Sequence, residues 1–336
     1  YVVIDALPEQ LTSALAETVA AINELVAESP ADVDAQLLRF YFDALHFQRL
    51  ADSYAAAHSL CDSTLEPEAS GRLAKSSRLC VRNVVPAPFL RPRYAAAAAI
   101  VMFSATLTPQ HFYADMLGLP GNTAWLDVEA PFEPSQLTVR VVDWISTRFR
   151  DRDASIGPIG RLIGTQYEQQ PGNYLAFFSS FDYLERAAEA FACTHPDIPH
   201  WRQARRQLED ERAAFLDRFQ VGGRGVGFAV LGGSFAEGVD LPGARLIGAF
   251  IATLGLPQIN PVNGAIRARL EKAFGCGYDY AYLYPGLRKV VQAAGRVIRT
   301  PEDRGVVYLM DDRFNRPAVR ALLPEWWQRS CDATVA

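Results

Sequence analysis

The chain has 336 residues, 49% of them hydrophobic and 21% charged, which is enough for one large or two ordinary domains with real cores. A net charge of −5 excludes a uniformly basic nucleic-acid binder, although a groove that grips one strand needs only local positive charge. No apolar run approaches the roughly 20 residues of a bilayer span, and the opening Tyr1-Val2-Val3-Ile4 has no basic lead of the kind that begins a signal peptide. Five scattered cysteines without C-x-x-C spacing predict free thiols in a reducing cytoplasm, with neither a zinc site nor an iron–sulfur cluster. The start without Met predicts a piece of a longer protein.

From the N-terminus, Leu11, Leu15, Val19, Ile22 and Val26 recur at helical spacing between Pro8 and Pro30, and a second helix is predicted over 32–60. Residues 1–75 therefore read as a helical segment, and the polar stretch 61–76, with Pro67 and Gly71, as a loop. Residues 76–135 read as a bridge. Within it, 79–85 suits an edge strand, and the alanine-rich run 95–103 suits a buried strand leading into Ser104-Ala105-Thr106-Leu107.

The rhythm then changes. Strands are predicted at 137–142, 174–178, 226–231, 246–251 and 306–310, and helices at 156–168, 183–192, 201–219, 261–274, 287–298 and 317–328. This alternation predicts an α/β domain over 136–336, a parallel sheet with helices on both faces and ligands at the carboxyl ends of its strands.

The chemistry-bearing residues fall at such ends. Gln292, Arg296 and Arg299 are spaced four and three apart, so one continuous helix would present all three on one face, as a clamp for a multiply charged oxyanion. Gly295 between them permits close approach. After the strand at 226–231 comes Gly232-Gly233-Ser234-Phe235-Ala236-Glu237-Gly238-Val239-Asp240, a glycine-rich loop that offers backbone N–H groups beside carboxylates. Ser104 and Thr106 suit either a helix cap or a hydrogen-bond relay, and Ser179 and Ser180 either a cap or a strand-phosphate contact. Residues 222–227 form a glycine-rich turn before a strand, not a phosphate loop. Neither an H-E-x-x-H nor a G-x-S-x-G motif occurs, so no resident metal is predicted.

In this order, S-A-T-L-T-P, F-F-S-S, G-G-S-F-A-E-G-V-D-L-P-G and Q-A-A-G-R-V-I-R resemble superfamily 2 DNA helicases of the DinG/XPD type. Pro131-Phe132 and Asp311-Asp312-Arg313-Phe314 fit the same likeness, which covers about residues 78–328. The resemblance implies a second RecA-like domain (P-loop NTPase type). Arg296 and Arg299 would be arginine fingers, with Gln292 beside them. Glu237, Gly238, Asp240 and Gly295 would lie at the nucleotide, and Ser104 and Thr106 would couple hydrolysis to movement. Ser179, Ser180 and Ser234 would lie at single-stranded DNA. It further implies an Arch-like origin for the N-terminal helices, 5′-to-3′ movement and a role in DNA repair.

The departure is that the chain carries neither G-x-x-x-x-G-K-[ST] nor D-E-A-H. ATP and Mg²⁺ would then be held mainly by a first RecA-like domain outside this chain, and the chain alone would be inactive. Two rival readings are a degenerate half-motor that only binds nucleic acid or a protein, and a different nucleotide-driven machine such as a double-strand translocase.

Overall fold

In the computed structural model, residues 1–29, 33–66, 76–233, 235 and 241–328 are described, and the chain divides into two compact units. The smaller takes in Tyr1–Phe103, Gln110–Thr123 and Gln258–Ala281. Helices α1 (Glu9–Glu28) and α2 (Ala35–Asp52) form where periodicity predicts helix, although α2 stops eight residues before the expected bound at 60, and the Asp34 carboxylate caps α2 by accepting from Gln36 N at 2.7 Å and Leu37 N at 2.8 Å.

The segment read as helix and loop also contains strands. β1 (Val2–Ile4), β2 (Ser59–Glu66) and β3 (Ser76–Asn83) make an antiparallel sheet in the order β1-β2-β3. Residues 61–66 thus belong to a strand that alternates too weakly to be seen from composition. Three helices complete the unit: α3 (Ala87–Ala95), α4 (Gln110–Leu117) and α8 (Pro261–Phe274). Contrary to expectation, the alanine-rich run forms no strand. It leaves α3 and continues without regular structure, with Val101 84% and Phe103 91% exposed. Alanine favours helix, and among the described residues no strand pairs with this run.

The larger unit holds the predicted parallel sheet. Its strands are β4 (Leu137–Val142), β5 (Asn173–Phe178), β6 (His200–Arg202), β7 (Gly225–Val230), β8 (Gly248–Ala252) and β9 (Gly305–Met310), in the order β4-β9-β8-β5-β7-β6. Every pairing is parallel. Central strand β5 is buried throughout. Its alternate side chains serve two cores. Tyr174, Ala176 and Phe178 pack with Ile159 and Ile163 of α5 (Arg152–Gln169) and with Leu184 and Phe191 of α6 (Phe181–Thr194). Leu175 and Phe177 face the other layer, with Leu287 and Val290 of α9 (Tyr284–Ala294), Phe215 of α7 (Glu209–Leu216), and Val319 and Trp327 of the short α10 (Pro317–Arg320) and α11 (Glu325–Gln328).

At the carboxyl end of β9 the Asp311 carboxylate, fully buried, accepts from Arg313 Nε at 2.6 Å and Nη2 at 2.9 Å, from Thr147 N at 3.0 Å, and from the Thr147 hydroxyl. This ties the loop after β4 to the loop after β9. Burial is the largest influence on this carboxyl and pushes its pKa up. The hydrogen bonds and charge of Arg313, with the Thr147 hydroxyl, outweigh it and hold the group below the usual carboxylate range. A depressed native pKa gives stability that is present above about pH 4 and is lost as pH falls through the native value. Asp311→Asn, which leaves the largely buried Arg313 guanidinium without its charge partner, should cost about 3 kcal/mol in urea unfolding at neutral pH, and the deficit should shrink as the medium is acidified below pH ~4.

Candidate nucleotide and strand interface

Helix α9 carries the Gln292 part of the predicted clamp but ends at Ala294, four residues short of the expected boundary. Gly295, at φ −63° and ψ −2°, caps it through its N–H to Val291 O at 2.9 Å. The chain then tightens: Arg296 N donates to Ala293 O at 3.4 Å and Val297 N to Ala294 O at 3.1 Å. Arg296 therefore stands in a tightened turn and Arg299 in the irregular segment beyond it, so the three residues do not share one continuous helix face. Their surroundings differ as well. Arg296 is only 6% exposed, Gln292 is half-buried and Arg299 is exposed.

Two residues that periodicity did not single out fix the segment bearing Arg299. The buried Asp303 carboxylate accepts from Arg299 N at 2.6 Å, Thr300 N at 2.8 Å and Thr300 Oγ1 at 2.9 Å. The Gln136 amide, also buried, donates to the carbonyls of Thr300 at 3.3 Å, Pro301 at 2.9 Å and Asp303 at 3.0 Å, while its Oε1 accepts from Glu133 N at 2.8 Å. The Thr-Pro-Glu-Asp composition is that of a turn, a signal for Asp303. Nothing local points to Gln136.

Of the glycine-rich loop, Ser234, Glu237, Gly238 and Asp240 lie outside the described residues. Its flanks are described: Leu231, Phe235 and Leu241 are buried in the same apolar cluster as Leu287, Val290, Ala293, Ala294 and Val297. Both ends of the loop thus pack in the layer that carries α9.

Ser179 and Ser180 follow β5 directly. Ser180 is the N-cap of α6, its Oγ accepting from Tyr183 N at 3.3 Å. Beneath it the Tyr183 phenol lies 2.5 Å from Ser155 Oγ, and burial pushes its pKa up to about 12, so the cap rests on a neutral, fixed ring. The Arg152 guanidinium lies over this ring and over that of Phe149. In the other predicted motif Ser104 Oγ accepts from Thr106 N at 3.3 Å, a local turn. Among the described residues no three His, Cys, Asp or Glu side chains gather as a metal site, and no helix is long and apolar enough to cross a membrane.

A parallel six-stranded sheet with buried layers on both faces, and polar residues at its strand ends, defines a RecA-like domain. The helicase C-terminal domain family matches residues 163–330, half of the sequence, and the chain belongs to that family. It is 28% identical over 237 residues to a probable ATP-dependent helicase of Methanocaldococcus jannaschii, covering 65% of this chain and 35% of the relative. It is also 24% identical over 345 residues to the XPD helicase subunit of the general transcription and DNA repair factor IIH of Arabidopsis thaliana, covering 89% of this chain and 44% of the relative. Among solved structures, an apo XPD superposes with a TM-score of 0.61 at 19% identity, covering 93% of this chain and 61% of that one. The Xpd4 protein of S. tokodaii gives 0.52 at 15% identity, covering 95% and 70%. These structural likenesses establish the fold, and the family match with the sequence relatives makes it a superfamily 2 helicase domain related to XPD. The chain spans less than half the length of the curated relatives it matches.

Asp303→Ala removes the acceptor for two backbone amides and a hydroxyl, a loss of about 1–3 kcal/mol locally. Hydrogen exchange at Arg299 and Thr300 should accelerate on the order of tenfold to a hundredfold, with the β5 amides unchanged.

Proposed function

We propose that this chain is the arginine-finger half of an ATP-dependent DNA helicase that moves on single-stranded DNA, 5′-to-3′ as its family resemblance implies. The observation that carries this reading is the packing of the loop flanks Leu231, Phe235 and Leu241 against the helix that leads to Arg296 and Arg299. The flanks of a glycine-rich, acidic sequence and the helix that leads to a pair of guanidiniums thereby belong to one layer of one domain.

The donor set fits a nucleotide phosphate. Two guanidiniums and an amide suit a multiply charged oxyanion, whereas the chain has no lysine-containing phosphate loop to hold Mg²⁺. When bound, ATP with Mg²⁺ supplies the phosphoryl group whose hydrolysis drives the cycle, and a first RecA-like domain beyond this chain would hold most of it. Arg296 and Arg299 then offer positive charge toward the terminal phosphate from the second side of the cleft, with Gln292 donating beside them. Glu237, Gly238 and Asp240 bind the sugar or orient water, and Gly295, with no side chain, permits close approach of the nucleotide. Ser179, Ser180 and Ser234 hold strand phosphates, a sequence-tolerant and salt-sensitive grip. Ser104 and Thr106 link the two events. The described residues of 1–75 would belong to an Arch-like insertion. The exposed, unpaired run ending at Phe103 is consistent with a strand whose neighbours lie in the first domain.

In the parent protein, Arg299→Ala should lower ATP turnover by about 10³ or more while altering ATP binding less than about tenfold. Equal losses of binding and turnover would move Arg299 from transition-state to ground-state contact. The isolated chain should hydrolyse no ATP with or without single-stranded DNA. A parent protein equally devoid of hydrolysis would favour the binding-module reading instead.

A further inference from the structure

Gly232, two residues after the end of β7, has φ +83°, and a Cβ built on it would lie 3.1 Å from Cδ, 3.3 Å from Cε and 3.3 Å from Nζ of Lys289. The lysine therefore reaches from α9 and fills the space in which residue 232 would carry its own side chain. An ammonium is thus delivered to the carboxyl end of a central strand, where ligands of parallel sheets sit.

The neighbours at that level are suited to an anion. Register pairs Phe178 of β5 with Val230 of β7, and Leu231 N donates to Phe178 O at 2.8 Å, so Ser180 and Gly232 stand level at the ends of adjacent strands. Ser180 opens α6, whose first N–H groups point outward from its N-terminus. Ser179 Oγ is shielded from solvent and has no hydrogen-bond partner among the described residues. In the same unit Arg148, Arg186, Arg205 and Arg313 each hold a carboxylate, whereas among the described residues none pairs with Lys289. On α9 it lies one turn before Gln292, extending that face toward the strand ends.

We infer that Lys289, lying in the side-chain space of Gly232 beside Ser179, holds a phosphate of a nucleic-acid strand. This rests on the strand-binding reading above and adds a residue that reading does not contain. Lysine suits such a role as a compact point charge that tolerates any base sequence.

The test is the fluorescence anisotropy of a labelled oligothymidylate titrated with this chain across a series of salt concentrations. Lys289→Ala should weaken binding about tenfold and reduce the slope of log K against log salt by about 0.7. Lys289→Arg should restore both, and Arg288→Ala, one exposed residue away, should change neither. Circular dichroism melting identical to wild type confirms that each variant folds. Wild-type affinity and slope in Lys289→Ala would overturn the inference while leaving the strand reading intact. Absence of oligonucleotide binding by the wild-type chain would overturn that reading and the inference with it. Mg-ATP that displaces the oligonucleotide from wild type but not from Lys289→Ala would place the phosphate on the nucleotide and overturn the strand assignment.

Discussion

Strand β5 has no face open to water, and that constraint organises the larger unit. Each of its six residues is buried, so helices must cover the sheet on both sides. The aromatic side chains alternate between layers, and each contributes about 1.5–3 kcal/mol by leaving water. Where the strand ends, so does the cover. Ser179 and Ser180 follow at once, and Gly232 and Gly233 follow neighbouring β7, because emerging backbone needs polar partners and short side chains. The polar edge is thus a consequence of how completely the strands behind it are buried.

The same burial explains what was legible in the sequence. Five strand runs were readable because a strand buried on both faces is nearly continuous in apolar residues, and the observed bounds differ from the expected ones by no more than two residues. The stretch 201–219 was read as one helix from its apolar spacing. Trp201, Phe215 and Phe219 do share a core, with ring centroids 4.9 Å apart for Trp201–Phe219 and 5.9 Å for Phe215–Phe219. They reach it from β6, α7 and the turn after α7, because Trp201 lies in a strand that pairs with β7. The spacing recorded common burial and not a common helix. Gln136 was invisible for a different reason: its partners at 300–303 are remote in sequence, and no local pattern marks a side chain whose role is to satisfy distant carbonyls.

The two arginines of the clamp illustrate how a short segment can produce unlike groups from like residues. Arg296 follows a capped helix in a tightened turn and is nearly shut off from solvent. Desolvating a guanidinium costs several kcal/mol unless hydrogen bonds or charge offset it, so its orientation is set when the domain folds. Arg299 is exposed, and a guanidinium side chain carries roughly 2 kcal/mol of rotamer entropy that an ordered contact must overcome. Asp303 and Gln136 fix its root by holding the backbone from 299 to 303. On the reading proposed here, Arg296 offers its charge from within the fold and Arg299 from its surface. Placing two guanidiniums on one short, fixed segment is what that reading requires of the fold. It also reconciles the chain's net charge of −5 with anion binding, because what matters is the few cations whose positions the fold restricts and not the sum over the surface.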